Sequence, residues 1–109
     1  MMFDLLCVNK IKERNKIETR RIKRNNRRPA IPGTVHKLKI DRTQDIYGYI
    51  KILDCRIEKD IWNIKYTDVI KEGFNNQIEF IRYWLKVNNN YKGENIWVVE
   101  FEYLGETLE

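Results

Sequence analysis

The stretch "NKIETRRIKRNNRRP", residues 15–29, gathers the reactive side chains of this chain, with cations crowded around one threonine (Thr19) and one glutamate (Glu18). Two kinds of chemistry suit such a segment. Clustered guanidinium and ammonium groups attract phosphates or an acidic surface. A lysine, a hydroxyl and a carboxylate within a few residues can instead belong to a small active site spanning Lys16 to Arg21.

The charge distribution favours the first. Residues 10–28 hold ten Lys/Arg against Glu13 and Glu18, an excess of eight, so the remainder carries three more acids than bases to leave +5 overall. Cations at this density repel one another unless an anion relieves them. Lys23, Arg24, Arg27 and Arg28 in the loop are the expected phosphate contacts, with Arg20 and Arg21 deeper in the same patch. Six contacts to single-stranded RNA would make log K fall with log[salt] at a slope of roughly −4. Tyr47, Tyr49, Trp62, Tyr66, Tyr83 and Trp84 are available for base stacking, although Trp84 and Trp97 read as core.

Other chemistries are excluded by composition. There is no serine anywhere in the chain, which removes every Ser nucleophile. His36 is the only histidine and stands outside any Cys/His cluster, so neither a metal nor another cofactor is expected. Cys7 and Cys55 sit in no motif and read as free thiols. The longest apolar runs, as in "IWVV", are far too short for a membrane span, and "MMFDLLCVNK" lacks a basic start and a cleavage site. A cytoplasmic protein is the expectation.

The elements that must position these residues can be read from periodicity. At 109 residues with 42% hydrophobic side chains, the chain has room for one core and one domain, residues 1–109. "FDLLCVNKIKERN" reads as a strand end and a helical turn. "KIETRRIKR", if extended, puts Ile17, Thr19 and Arg21 on one face and Glu18, Arg20 and Ile22 on the other. "NNRRPAIPG" continues it as a basic loop, residues 20–32. "TVHKLKI" and "IYGYIKILDCRIEK" are strands joined by a hairpin through "DRTQD". "YTDVIKEGF" is a short helix with Thr67 as N-cap and Gly73 as its left-handed stop. "NNQIEFIRYWLKV" is the clearest helix, with Phe74, Ile78, Ile81 and Leu85 at helical spacing and a capping box from Asn76 to Glu79. "NIWVVEFEYL" alternates as a final strand. The sum is an α+β domain, mostly antiparallel, with two or three helices and a sheet expected to close as a small barrel.

The order of these motifs resembles the ASCH domain family, a branch of the PUA-like β-barrel superfamily. The matching residues are Lys16-Ile17-Glu18-Thr19-Arg20-Arg21, similar to a K-x-x-[ET]-x-R motif, then Pro32-Gly33, Gly48, Glu72-Gly73-Phe74 with Glu79-Phe80, and Trp97-Val98-Val99-Glu100-Phe101. Asn15 stands where the family often has glycine, and Thr34 where an acidic residue is common. The resemblance implies a PUA-like (ASCH) barrel that binds RNA. It also implies a second possibility, because some small bacterial members are amidohydrolases that remove the acetyl group from N4-acetylcytidine. Their working lysine, threonine and glutamate fall on Lys16, Thr19 and Glu72.

A threonine hydroxyl attacks only when a neighbouring base takes its proton, and a lysine is such a base only as the free amine. On a flat strand Lys16 and Thr19 would point to opposite faces, so a turn or bulge at Lys16 is required, for which the preceding Asn15 is a suitable residue. Three functions stay open: an RNA- or nucleotide-binding module, favoured because a neutral nucleoside needs no such excess of cations; a hydrolase for modified nucleosides; and a module that docks an acidic protein partner.

Overall fold

The chain folds as β1 (Met2–Phe3), α1 (Leu5–Lys12), β2 (Glu18–Ile22), β3 (Val35–Ile40), β4 (Ile46–Glu58), α2 (Tyr66–Lys71), α3 (Gln77–Val87) and β5 (Ile96–Gly105). A computed structural model describes residues 1–40 and 44–108. The turn between β3 and β4, expected through "DRTQD", falls largely on 41–43 and lies outside the described residues.

One mixed sheet of five strands runs in the order β1-β3-β4-β5-β2. All pairs are antiparallel except β1 with β3. The sheet stays open rather than closing as a barrel, because β1 is only two residues long and supplies almost no ladder. A side chain spans the gap instead. Arg21 on β2 donates from Nη2 to the Met2 carbonyl on β1 at 2.7 Å, and its guanidinium lies 5.1 Å from the Phe3 ring centroid.

Alternation along β5 feeds two apolar clusters. Trp97, Val99, Phe101 and Tyr103 pack with Phe3, Cys7, Val8 and Ile11 of the N-terminal segment, while Ile96 joins Val69, Phe74, Phe80 and Trp84 from the helical region. Trp84 and Trp97 are both buried, as expected from their place in the pattern. Among the described residues no helix is long and apolar enough to cross a membrane.

Two helix details differ from the sequence expectation. Helix α2 starts earlier than a Thr67 cap would allow: Lys65 occupies the N-cap and makes no side-chain capping bond. Helix α3 is capped by Asn76, whose Oδ1 accepts from Glu79 N–H at 2.9 Å, but it buries Phe80 and Trp84 and leaves Ile78 66% exposed. The aromatics win the inner face because they remove more apolar area and meet Phe74, whose ring centroid lies 5.4 Å from Phe80 and 5.1 Å from Tyr83.

Gly48 marks a close approach in the sheet. It has φ +144°, and a Cβ there would lie 2.7 Å from Tyr103 Cε1 and 2.8 Å from the Gly105 carbonyl oxygen. Gly48→Ala is expected to cost about 3 kcal/mol through strain and overlap together. Chemical denaturation checks this, and a midpoint equal to the wild type would exclude the close approach.

Candidate functional site

The end of α1 sets the position of Lys16. Arg14 N–H donates to Ile11 O and Asn15 N–H to Lys10 O, both at 2.9 Å, with Arg14 at φ 62°. This is the paired-bond stop that helices usually make with glycine in the left-handed region. The required turn therefore exists, but its left-handed residue is Arg14 rather than Asn15, because the helix cap falls on Glu13. Ile17 then fastens the chain on both sides: its N–H donates to Lys71 O at 2.8 Å and its carbonyl accepts from Phe101 N–H at 2.9 Å.

Helix α2 delivers Glu72 from the other direction as its C-cap. The following Gly73, at φ +89°, serves as the stop the sequence suggested. That φ strains any other residue, and an added Cβ would sit tightly, 3.0 Å from Lys10 Cδ and 3.3 Å from Lys16 Cβ. Lys10 clamps this approach, donating from Nζ to Gly73 O at 2.5 Å while lying 3.8 Å over the Phe74 ring.

Lys16 and Glu72 meet as a buried ion pair, Nζ to Oε1 at 2.5 Å, each side chain 2% exposed. Lys16 Nζ also donates to the Glu18 carbonyl at 2.9 Å. The other Glu72 oxygen accepts from Arg20 Nη1 at 2.9 Å, and the same nitrogen reaches Glu18 Oε1 at 2.6 Å. Arg20 continues to Glu58 Oε1 at 3.2 Å and to Asp68 Oδ2 at 3.6 Å. Arg56 Nη2 completes Glu18 at 3.2 Å. Burial works against the Arg20 charge, yet Glu72, Glu18 and Glu58 outweigh it and raise its proton affinity above the ordinary guanidinium value.

Arg20 is thus withdrawn from the phosphate-contact set proposed from sequence. Its guanidinium is fully buried and its donors face carboxylates, leaving none for a ligand. Arg21 keeps partial exposure but is engaged with Met2 and Phe3. Lys23 is half-buried, donates to Asn26 Oδ1 at 2.7 Å and lies 5.7 Å from the Trp97 ring centroid. Arg24, Arg27 and Arg28 are exposed and form no ion pair among the described residues.

A cavity of about 530 Å³ lies along the open seam of the sheet. Lys16, Thr19 and Glu72 all line it, together with Arg20, Arg21 and Arg24. The structure therefore gathers the three candidate catalytic residues, and it connects them to the first exposed cation of the loop. The lining also carries Asp4, which the sequence reading did not single out, together with Cys7, read there as a free thiol, and Tyr83, read there as a candidate for base stacking. Tyr83 Oη donates to Asp4 Oδ2 at 2.5 Å, and Cys7 Sγ lies 3.1 Å from the same phenol oxygen. Burial and the bond to Asp4 push the Tyr83 phenol well above its usual range, and burial also raises the Cys7 thiol. Trp84 Nε1–H, of a residue on the same lining, has no hydrogen-bond partner among the described residues. Of the other aromatics, Trp62 and Tyr66 are exposed but do not line this cavity. Among the described residues no His, Cys, Asp and Glu side chains group as metal ligands.

Comparison with solved structures decides the fold. An ASCH domain from Lactobacillus crispatus JV V101 superposes with TM-score 0.69 over 92% of this chain and 71% of its own, at 10% identity. The fold is ASCH-type. Protein EF3133 of Enterococcus faecalis V583, of the DUF984 family, matches with TM-score 0.69 at 11% identity, covering 95% of this chain and 73% of its own. The hypothetical protein PH0355 matches at 0.71 and 15% identity, covering 95% of this chain and 96% of its own. No family model and no curated protein matches the sequence. The cavity at the open seam and the buried charges around Arg20 are features of this chain's own structure.

Removing Arg20 leaves Glu18 and Glu72 buried without their shared donor. Arg20→Met is expected to destabilise the fold by about 3–5 kcal/mol. Urea denaturation followed by tryptophan fluorescence measures it, and a loss below about 1 kcal/mol would mean that the network relaxes around water instead.

Proposed function

We propose that this protein binds a nucleotide, free or within RNA, with the base in the seam cavity and the phosphate on the loop of residues 23–28. The observation that carries this reading is the position of Arg24. It lines the cavity and also begins the set of exposed, unpaired cations. Of the six expected contacts, Arg20, Arg21 and Lys23 are engaged with protein partners, so the number of loop cations free for phosphate falls to three, Arg24, Arg27 and Arg28. Three contacts to single-stranded RNA correspond to a log–log salt slope of about −2. Arg24→Glu with Arg27→Glu should weaken affinity for every RNA sequence by a similar factor and flatten that slope. Filter binding across a salt series tests it, and unchanged affinity would sink the phosphate assignment. Binding of a cellular partner that survives nuclease treatment would point to an acidic protein instead.

A second reading is favoured by one contact, the 2.5 Å approach of Lys16 Nζ to Glu72 Oε1 beside a threonine that lines the same cavity. Transfer of the shared proton from nitrogen to oxygen gives an amine and a carboxylic acid at once. The amine can take the Thr19 hydroxyl proton as oxygen attacks an acyl carbon, and the acid can protonate the departing nitrogen. Water then hydrolyses the threonyl ester. This is amide hydrolysis of an N4-acetylcytidine-type nucleoside, and it needs no metal. Chromatography of N4-acetylcytidine incubated with the protein should reveal cytidine release, lost by at least 100-fold in Thr19→Ala. Turnover retained in that variant would remove Thr19 as nucleophile.

A further inference from the structure

The lining of the seam cavity combines cationic donors, Arg21 and Arg24, with a group of acceptors around Asp4. Asp4 caps α1, with Oδ1 accepting from Cys7 N–H at 2.8 Å, while Oδ2 accepts the Tyr83 proton. Each carboxylate oxygen has two lone pairs, so both keep accepting capacity after these bonds form. Tyr83 has committed its only proton to Asp4, which leaves its oxygen as a further acceptor. Two donors on separate elements, α1 and α3, hold the carboxylate in one orientation.

A ring that presents a keto oxygen to this wall meets negative charge. A ring that presents an N–H meets a fixed, charge-assisted acceptor. We propose that Asp4, oriented by Tyr83, is the base-reading residue of the cavity and selects bases carrying an exocyclic amino or amide N–H over their keto counterparts. This rests on the nucleotide reading given above. Protonation does not blunt the acceptor at neutral pH: burial disfavours the Asp4 charge, but the bonds from Tyr83 and Cys7 outweigh it and hold the carboxyl below its usual value.

Calorimetric titration of the intact protein with cytidine against uridine 5′-monophosphate, and adenosine against inosine 5′-monophosphate, tests the assignment. The amino member of each pair is expected to bind about 10- to 100-fold more tightly, the range for a hydrogen bond to a charged group. Asp4→Asn keeps the cap, because its amide oxygen can still accept from Cys7 N–H, but it turns an N–H towards the ligand. The preference should collapse or invert in favour of uridine and inosine. Asp4→Ser also retains a good N-cap yet withdraws the acceptor, and should bring each ratio close to one. Equal affinities for amino and keto members in the wild type, or the wild-type ratio retained in Asp4→Asn, would overturn the assignment while leaving nucleotide binding standing. If none of the four nucleotides binds, the nucleotide reading falls and this inference with it.

Discussion

The buried guanidinium of Arg20 is the charge around which the polar half of this molecule is arranged. It reaches Glu18 on its own strand, Glu58 at the end of β4, and Asp68 and Glu72 on or beside α2. Taking such groups out of water costs several kcal/mol per ion, and the loss is offset only when each charge has close, well-directed partners. Here one planar donor satisfies carboxylates from three elements, which would otherwise repel one another. Position and charge are thereby coupled. Glu72 can face Lys16 with one oxygen because Arg20 holds the other.

The cations that dominate the sequence divide into two populations with different physics. Lys10, Lys16 and Arg20 act inside the fold, on a carbonyl, a carboxylate and a carboxylate cluster. Arg24, Arg27 and Arg28 stand in solvent, where charge acts over roughly a Debye length and is weakened by salt. A count of positive residues cannot tell these apart, because the distinction depends on which acids are brought near by folding. Arg20 illustrates it. In the linear sequence it looks like another member of a basic run, while three of its four acidic partners lie 38 or more positions away.

Much of the fold was legible because its signals are local. The strand at β5, the Asn76 cap and the Gly73 stop each depend on a few neighbouring residues and appear as read, except that Val98, read on the face of Glu100 and Glu102, is as buried as Val99. The gathering of Lys16, Thr19 and Glu72 was legible only through resemblance to the ASCH family, since spacing alone set Lys16 and Thr19 on opposite faces. The left-handed residue that resolves this, Arg14, carries no glycine or asparagine signal. The Asp4–Tyr83 contact joins residues 79 apart and had no linear trace beyond an acidic residue ahead of an apolar helix. The sheet's failure to close follows from the brevity of β1, which composition does not encode.

That open seam has an energetic consequence. The segment carrying Met2 to Cys7 walls the cavity, and its strand pairs with β3 at Met2 with Lys39 and Phe3 with Ile40. Met1 adds bonds to the Lys37 carbonyl and from Lys39 N–H, and Arg21 of β2 reaches the Met2 carbonyl. Short strands with few backbone bonds open at lower free energies than long ladders. Phe3 and Cys7 of this wall are nevertheless buried in the main apolar cluster, so opening of the seam is coupled to unpacking of the core beside it.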